Sequence, residues 1–256
     1  MSDLAPEAVG PLLRGSLGEP YLYTAETAST QDVLAASDHP HGAVAVTEHQ
    51  TAGRGRSGRR WDDAPLTALL CSVLLRPPAG LPLPRLALVA GLAVATAIEH
   101  ESGLAAMVKW PNDVLLDGCK VAGILLEASS SRVVCGIGIN VNQEERDLPA
   151  QTRLPATSLR IGAGRQFDRG VVLAAVLREL ECGYAEWLEH GLDGLLDDLE
   201  RRNALRGRRI RVDGRTGTAG KIAPDGRLTL VLDRGDIVLV ESGEVELEPG
   251  DSPATG

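Results

Sequence analysis

AMVKWPNDVLLDGCKVAGILLE, residues 106–127, reads as short strands folded back on one another. Ala106 to Trp110, Asp113 to Leu116 and Lys120 to Glu127 are apolar runs of strand length, and Asp117-Gly118 is the dipeptide that turns a tight hairpin. A fourth run, Arg132 to Ile139, follows. Upstream, Leu66 to Leu75 reads as a buried strand, Pro77 to Pro84 as a proline-rich turn, and Arg85 to Glu101 as a mainly buried helix. Further out lie a strand at Tyr21 to Thr24, a short helix capped by Ser29 or Thr30 and ending near Ala36, and a strand at Gly42 to Glu48. Downstream, residues 140–165 are polar and loop-like. In Asp168 to His190, Leu173, Val176, Leu177, Leu180, Tyr184, Trp187 and Leu188 share one helical face. Strands and helices mixed in this way predict an α+β domain over residues 21–204.

From Gly207 the texture changes. Short β-rich runs alternate with Asp213-Gly214, Asp225-Gly226, Gly235-Asp236 and Ser242-Gly243, which predicts a small all-β domain of about five strands over residues 205–249. Residues 1–20 carry Gly and Pro without periodicity and are expected to form a flexible N-terminal arm. Residues 250–256 are expected to be a disordered tail.

The 256 residues carry a formal charge of −9, which argues against general binding to nucleic acid or anionic membranes. The longest apolar stretch, Leu86 to Ile98, falls short of the ~18 residues a membrane helix needs. No secretory signal opens the chain, and Cys71, Cys119, Cys135 and Cys182 lack metal spacing, so a reducing cytoplasm is expected. Of 26 basic residues only Lys109, Lys120 and Lys221 are lysine. Two of these, two of the three tryptophans and three of the four asparagines lie between Trp61 and Asn142, which concentrates the informative residues there.

Five segments could carry chemistry. Gln50-Thr-Ala-Gly-Arg-Gly-Arg-Ser-Gly-Arg-Arg-Trp61 matches G-x-G-x-x-G at Gly53, Gly55 and Gly58. A dinucleotide site requires a helix to open there, and Arg59-Arg-Trp-Asp-Asp-Ala-Pro65 is a poor helix start. Glycines that permit close approach, with Arg54, Arg56, Arg59 and Arg60, suit a mobile lid over an anion or, equally, a solvated basic turn. In Val108-Lys-Trp-Pro-Asn-Asp-Val114, Lys109 could meet a phosphate and Asp113 could hold Mg²⁺, although a Lys, Asn and Asp beside Pro111 also make an ordinary turn. In Cys119 to Glu127, strict alternation would point Lys120 and Ala122 to one face and Val121 and Gly123 to the other. Lys120 is then either snorkelling to solvent or set to meet a buried anion, and Gly123 marks close approach of a ligand or backbone. Gly136-Ile-Gly-Ile-Asn-Val-Asn142 is a tight strand ending in polar turn residues. Thr27-Ala-Ser-Thr-Gln-Asp32 is a helix cap whose hydroxyls could also bond a small polar ligand. No Ser/His/Asp or Cys/His grouping stands out, and the five histidines lack ligand spacing, which agrees with phosphoryl or adenylyl transfer, where positioning and charge neutralisation dominate.

In this order, GRGRSGRRW, KWPNDV, KVAGIL and GIGIN resemble the biotin protein ligase family, from Thr27 to about Leu159, and the β-rich C-terminal module fits as well. The resemblance implies a class II synthetase-like catalytic domain with a mixed sheet, and an SH3-like β-barrel after it. It implies that biotin is activated by ATP as the adenylate and passed to a lysine of a biotin carboxyl carrier protein. Ser29, Thr30, Gln31 and Gln50 would bond the ureido head; Arg54, Gly55 and Arg56 would form the lid over carboxylate and phosphate; and Lys120, beside Gly123, would meet the carboxylate. Lys109, Asn112 and Asp113 would serve the nucleotide and its Mg²⁺, with Asn140 and Trp61 at the adenylate. Arg56, Lys120 and Lys109 would carry the catalysis. The family's first motif usually has Asn where this chain has Gln31. About 20 residues precede the first strand, too few for a helix-turn-helix, so no DNA binding is expected. A homodimer is compatible with the sequence. Rival readings are a lipoate or octanoate ligase, a non-catalytic biotin-binding module and a nicotinamide enzyme. The arginine-glycine lid and the C-terminal module favour biotin over lipoate, the lid arginines with Lys120 speak against a non-catalytic module, and the missing helix after Gly58 speaks against the nicotinamide reading.

Overall fold

A computed structural model describes residues 2–129, 132–150 and 154–248. The expected tail at 250–256 lies outside them. The chain opens with a four-residue helix α1 (Pro6–Val9), then β1 (Tyr21–Thr27), α2 (Thr30–Ala35), β2 (Val44–Gln50), β3 (Ala68–Leu75) and α3 (Leu86–Ser102). The hairpin region gives β4 (Ala106–Lys109), β5 (Asp113–Leu116), β6 (Cys119–Ser129) and β7 (Arg132–Asn140). Helices α4 (Leu159–Ala163), α5 (Arg169–His190) and α6 (Leu196–Arg201) follow, then β8 (Arg209–Val212), β9 (Arg215–Ile222), β10 (Leu228–Leu232), β11 (Ile237–Val240) and β12 (Glu246–Leu247).

Strands β1 to β7 form one mixed sheet in the order β1-β2-β3-β7-β6-β5-β4, in which only β1 and β2 run parallel. Gly118, at φ 77°, and Asp117, at φ 47°, make the turn between β5 and β6, as the Asp-Gly pair predicts. Helix α3 is apolar on nearly every side because the sheet and α5 cover it, and its Gly91 lets Val108 and Ile124 approach. Asp168 caps α5 by accepting from Val171 N–H, and the α5 face predicted from periodicity is buried except for Leu188.

The second sheet is antiparallel in the order β11-β10-β9-β8-β12, consistent with an SH3-like module. It is tied to the layer built on the first sheet. The buried Trp110 donates its indole N–H to Gly226 O at 2.9 Å, Arg85 Nε donates to Asp225 O at 2.9 Å, and Asn203, which bridges to Val108, donates to Gly220 O at 3.3 Å.

Two expectations need correction. The N-terminal segment is not a loose arm: Leu4 and Val9 are fully buried, Leu17 nearly so, and Asp3 is ion-paired with Arg169 at the start of α5. A four-residue helix is too short to display a period, so only its contacts reveal it. Helix α4, within the stretch read as loop, and helix α6 are also short and were not anticipated. The alternation assumed for β6 fails as well. Leu115 pairs with Lys120 and Val114 with Ala122, so Val121 is an extra residue, a β-bulge. The bulge reverses the parity of the strand and brings Lys120 to the same side as Gly123, where a Cβ would stand 3.1 Å from the ammonium.

Candidate functional site

Two rungs of the β6–β7 ladder, on the same face and separated by the Ile124–Ile137 pair, floor a narrow cavity of about 30 Å³. On the first rung Gly123 faces Gly138, and the indole of Trp61 lies over both: a Cβ would meet the ring at 3.0 Å and 2.7 Å respectively. On the second rung Leu125 faces Gly136, and Gln31 lies over it. Glycine is needed at these positions because a side chain would occupy the space now taken by Trp61 and Gln31.

The walls come from the start of α2 and the end of β2. Ser29 caps α2, accepting from Gln31 N–H at 3.3 Å. Gln50 Oε1 accepts from Thr30 N–H at 2.9 Å and from its hydroxyl at 3.2 Å, and that hydroxyl lies 2.7 Å from Ser72 Oγ. Each of these four side chains is buried.

The Gly-Arg segment is a hairpin. Arg54 bridges antiparallel to Arg60, Gly55 N–H donates to Arg59 O at 2.7 Å, and Trp61 N–H donates to Gly53 O at 3.0 Å. Its tip turns at Ser57 and Gly58, both at positive φ, and no helix follows. His49 Nδ1 lies 2.9 Å from the buried Asp63 carboxylate and anchors the far end of the segment to β2. Arg54 is held by Asp32 and Glu127 at 2.9–3.3 Å, a clamp that ties the hairpin to α2 and β6. Arg56 donates to Asn112 Oδ1 at 2.9 Å, and Asn112 in turn donates to Ile124 O. Arg59 pairs with Glu244 of the second domain at 2.7 Å.

Beyond Gly123 and Trp61 the narrow cavity meets a broad one of about 430 Å³. Arg56, Arg59, Arg60, Lys109 and Lys120 all line it, with Asn112, Asp113, Asn140 and the loop Gly243–Val245. Lys120 Nζ lies 2.6 Å from Asp113 Oδ1 and 5.5 Å from the Trp61 ring centre, a cation–π distance. Lys109 is buried, 3.9 Å from Asp113. Burial pushes its ammonium below the ordinary lysine range; Asp113 opposes that, and Lys120, Arg59 and Arg56 add to it. Asn140 is fixed by Thr157 O and Gln143, at 2.9 and 3.1 Å.

All the residues to which the resemblance gives a role thus border one pair of joined cavities. Ser29, Thr30, Gln31 and Gln50 lie around the narrow one; Gly55, Arg56, Lys109, Asn112, Asp113, Lys120 and Asn140 lie around the broad one; Arg54, Trp61 and Gly123 touch both. Leu125 and Glu244 were not singled out, Gly136 and Gly138 were read only as part of a tight strand, and Arg59, one of the four arginines of the basic loop, lines the broad cavity as well. The glycine alternation in Gly136-Ile-Gly138 was a usable signal; Glu244 offered none, being contributed by the other domain. Chemically, the narrow cavity offers hydroxyl and amide groups to a small polar, uncharged head, and the broad one offers positive charge to a polyanion. Among the described residues no cluster of three or more His, Cys, Asp or Glu could hold a metal. The single carboxylate of Asp113 fits Mg²⁺ only in the manner of a nucleotide site, where phosphate and water supply the remaining ligands.

The profile of the Biotin/lipoate A/B protein ligase family matches residues 23–144. The bifunctional ligase/repressor BirA of Bacillus subtilis is 38% identical over 186 residues, which cover 68% of this chain and 57% of that protein. The chain therefore spans little more than half the length of that relative. The biotin–[acetyl-CoA-carboxylase] ligase of Mycobacterium tuberculosis is 37% identical over 219 residues, 80% of this chain and 78% of that one. Among solved structures, biotin protein ligase from Aquifex aeolicus in complex with biotin and ATP superposes with a TM-score of 0.82 at 33% identity, covering 89% of this chain and 97% of that one.

Proposed function

This chain belongs to the biotin/lipoate A/B protein ligase family, and from that premise we propose that it is a biotin protein ligase. It activates biotin with ATP to biotinyl-5′-AMP and transfers the biotinyl group to a lysine of a biotin carboxyl carrier protein. The observation that carries this reading is the meeting of the two cavities at Gly123 and Trp61, with Lys120 beside both residues and Arg56 and Lys109 also bordering the broad cavity.

Biotin's ring head takes the narrow cavity among Ser29, Thr30 and Gln50, and its valeryl carboxylate reaches the junction. The triphosphate takes the broad cavity. A carboxylate oxygen attacks the α-phosphorus and the bond to pyrophosphate breaks. The carboxylate is already ionised, so no base is needed. The obstacle is repulsion between two anions, and Arg56, Lys109 and Lys120 offset it and stabilise the charge that spreads in the transition state. Asp113 would hold Mg²⁺, which supplies further charge neutralisation at the phosphates. The hairpin and Trp61 then shield the mixed anhydride from water until the carrier's lysine amine attacks and AMP leaves. The four cysteines are free thiols, which suits a reducing, cytoplasmic setting.

The test is incubation with biotin, ATP, Mg²⁺ and a biotin-carrier domain, followed by mass spectrometry. One biotinyl group per carrier, absent when lipoate replaces biotin, supports the proposal. An unmodified carrier contradicts it.

A further inference from the structure

We propose that Gln31 and Gly136 together set the depth of the narrow cavity, which makes Gln31 a specificity-determining residue for the ring-bearing head of the substrate. The inference rests on the reading of that cavity as the seat of biotin's fused rings.

Gln31 is only 3% exposed, and its backbone is fixed by the Ser29 cap. Its side-chain Nε2 donates to Leu125 O at 3.2 Å, across the second rung of the cavity floor. That rung lies two residue pairs further from Lys120 than the rung under Trp61. A Cβ on Gly136 would stand 3.1 Å from Gln31 Cδ, 3.2 Å from Nε2 and 3.3 Å from Cγ. The carboxamide therefore fills the space a side chain on Gly136 would take. With Nε2 engaged by the main chain, it acts as an end wall and not as a donor from that atom to the ligand. Asparagine, one methylene shorter, would fall short of Leu125 O and leave the cavity deeper by that length. The φ of Gly136 lies outside the left-handed region, so alanine there is opposed by Gln31 and not by its own backbone.

Two measurements test the pair. The first is a thermal melting cycle on the full chain without ligand. Gly136→Ala should lower the melting temperature by about 2–4 °C alone and by well under ~1 °C in the Gln31→Asn background. Additive shifts would overturn the contact. The second is ATP–pyrophosphate exchange driven by biotin or by biotin methylated on a ureido nitrogen. The unaltered protein should favour biotin by on the order of 100-fold, and Gln31→Asn should narrow this preference to about tenfold. An unchanged preference would overturn the proposal. So would a ~100-fold loss of biotin use in Gln31→Asn, which would make Gln31 a direct ligand. If the unaltered protein drives no exchange with biotin, the proposed function fails, and the melting cycle still decides the pairing.

Discussion

The indole of Trp61 rests on Gly138: a Cβ there would stand 2.7 Å from Cε2 and 2.8 Å from Cζ2. No real Cβ contact is that short, so Gly138→Ala must expel the ring and displace the hairpin that Trp61 ends. Biotin-driven pyrophosphate exchange should fall by about tenfold or more, with a red-shifted tryptophan emission. Gly91 is the contrasting case. A Cβ there meets Val108 and Ile124 at 3.6 and 3.8 Å, ordinary contact, and Gly91→Ala should keep activity and stabilise by up to ~1 kcal/mol in urea unfolding. A fully active Gly138→Ala would show that the ring's position does not matter.

Arg169 locks the N-terminal segment to the sheet. Its side chain is 4% exposed, ion-paired with Asp3 and with the buried Glu48, and it donates to Ala68 O at 3.2 Å. Glu48 also accepts from Ser2 and Tyr23. Arg169→Met leaves a buried carboxylate without its cation and should cost about 3–5 kcal/mol in urea unfolding. Adding Glu48→Gln should recover part of the loss. A cost below ~1 kcal/mol would show that the lock contributes little.

His41 makes stability fall in mild acid. Its ring stacks on Tyr184 at 5.5 Å, and Nδ1 accepts from Arg76 N–H at 3.2 Å. Burial holds the imidazole below its ordinary 6.5; Glu181 opposes and Arg76 adds to the effect. The unfolded chain thus takes up a proton that the folded chain resists. Stability is fully present above 6.5 and is lost as pH falls below it through the folded value. Urea unfolding of the unaltered protein should weaken across that window more than unfolding of His41→Phe, which keeps the stacking and does not titrate. Parallel pH profiles would contradict this.

Much of the frame was legible in local chemistry. Asp117-Gly118 turned the β5–β6 hairpin as its dipeptide demands, and the period of Leu173 to Trp187 marked the buried face of α5. The side of β6 on which Lys120 sits was not legible, because one bulged residue, Val121, reverses the alternation and a bulge has no pattern of its own. Nor was the purpose of Gly136 and Gly138: a glycine announces close approach without saying what approaches, and here it is Gln31 and Trp61, more than 70 residues away along the chain. Glu244 reaches Arg59 only through the packing of one domain on the other, anchored by Trp110 on Gly226, which no local pattern encodes.

The central claim is that the cations bordering the broad cavity allow two anions to react, with Lys120 beside Gly123 and Trp61, where the cavities meet. Its most direct test is biotin-dependent ATP–pyrophosphate exchange by Lys120→Ala, with folding checked by melting. Lys120 is partly exposed, so its loss should leave the fold intact while exchange drops by about 10²–10³-fold. Exchange within a few-fold of the unaltered protein, at an unchanged melting temperature, would contradict the account.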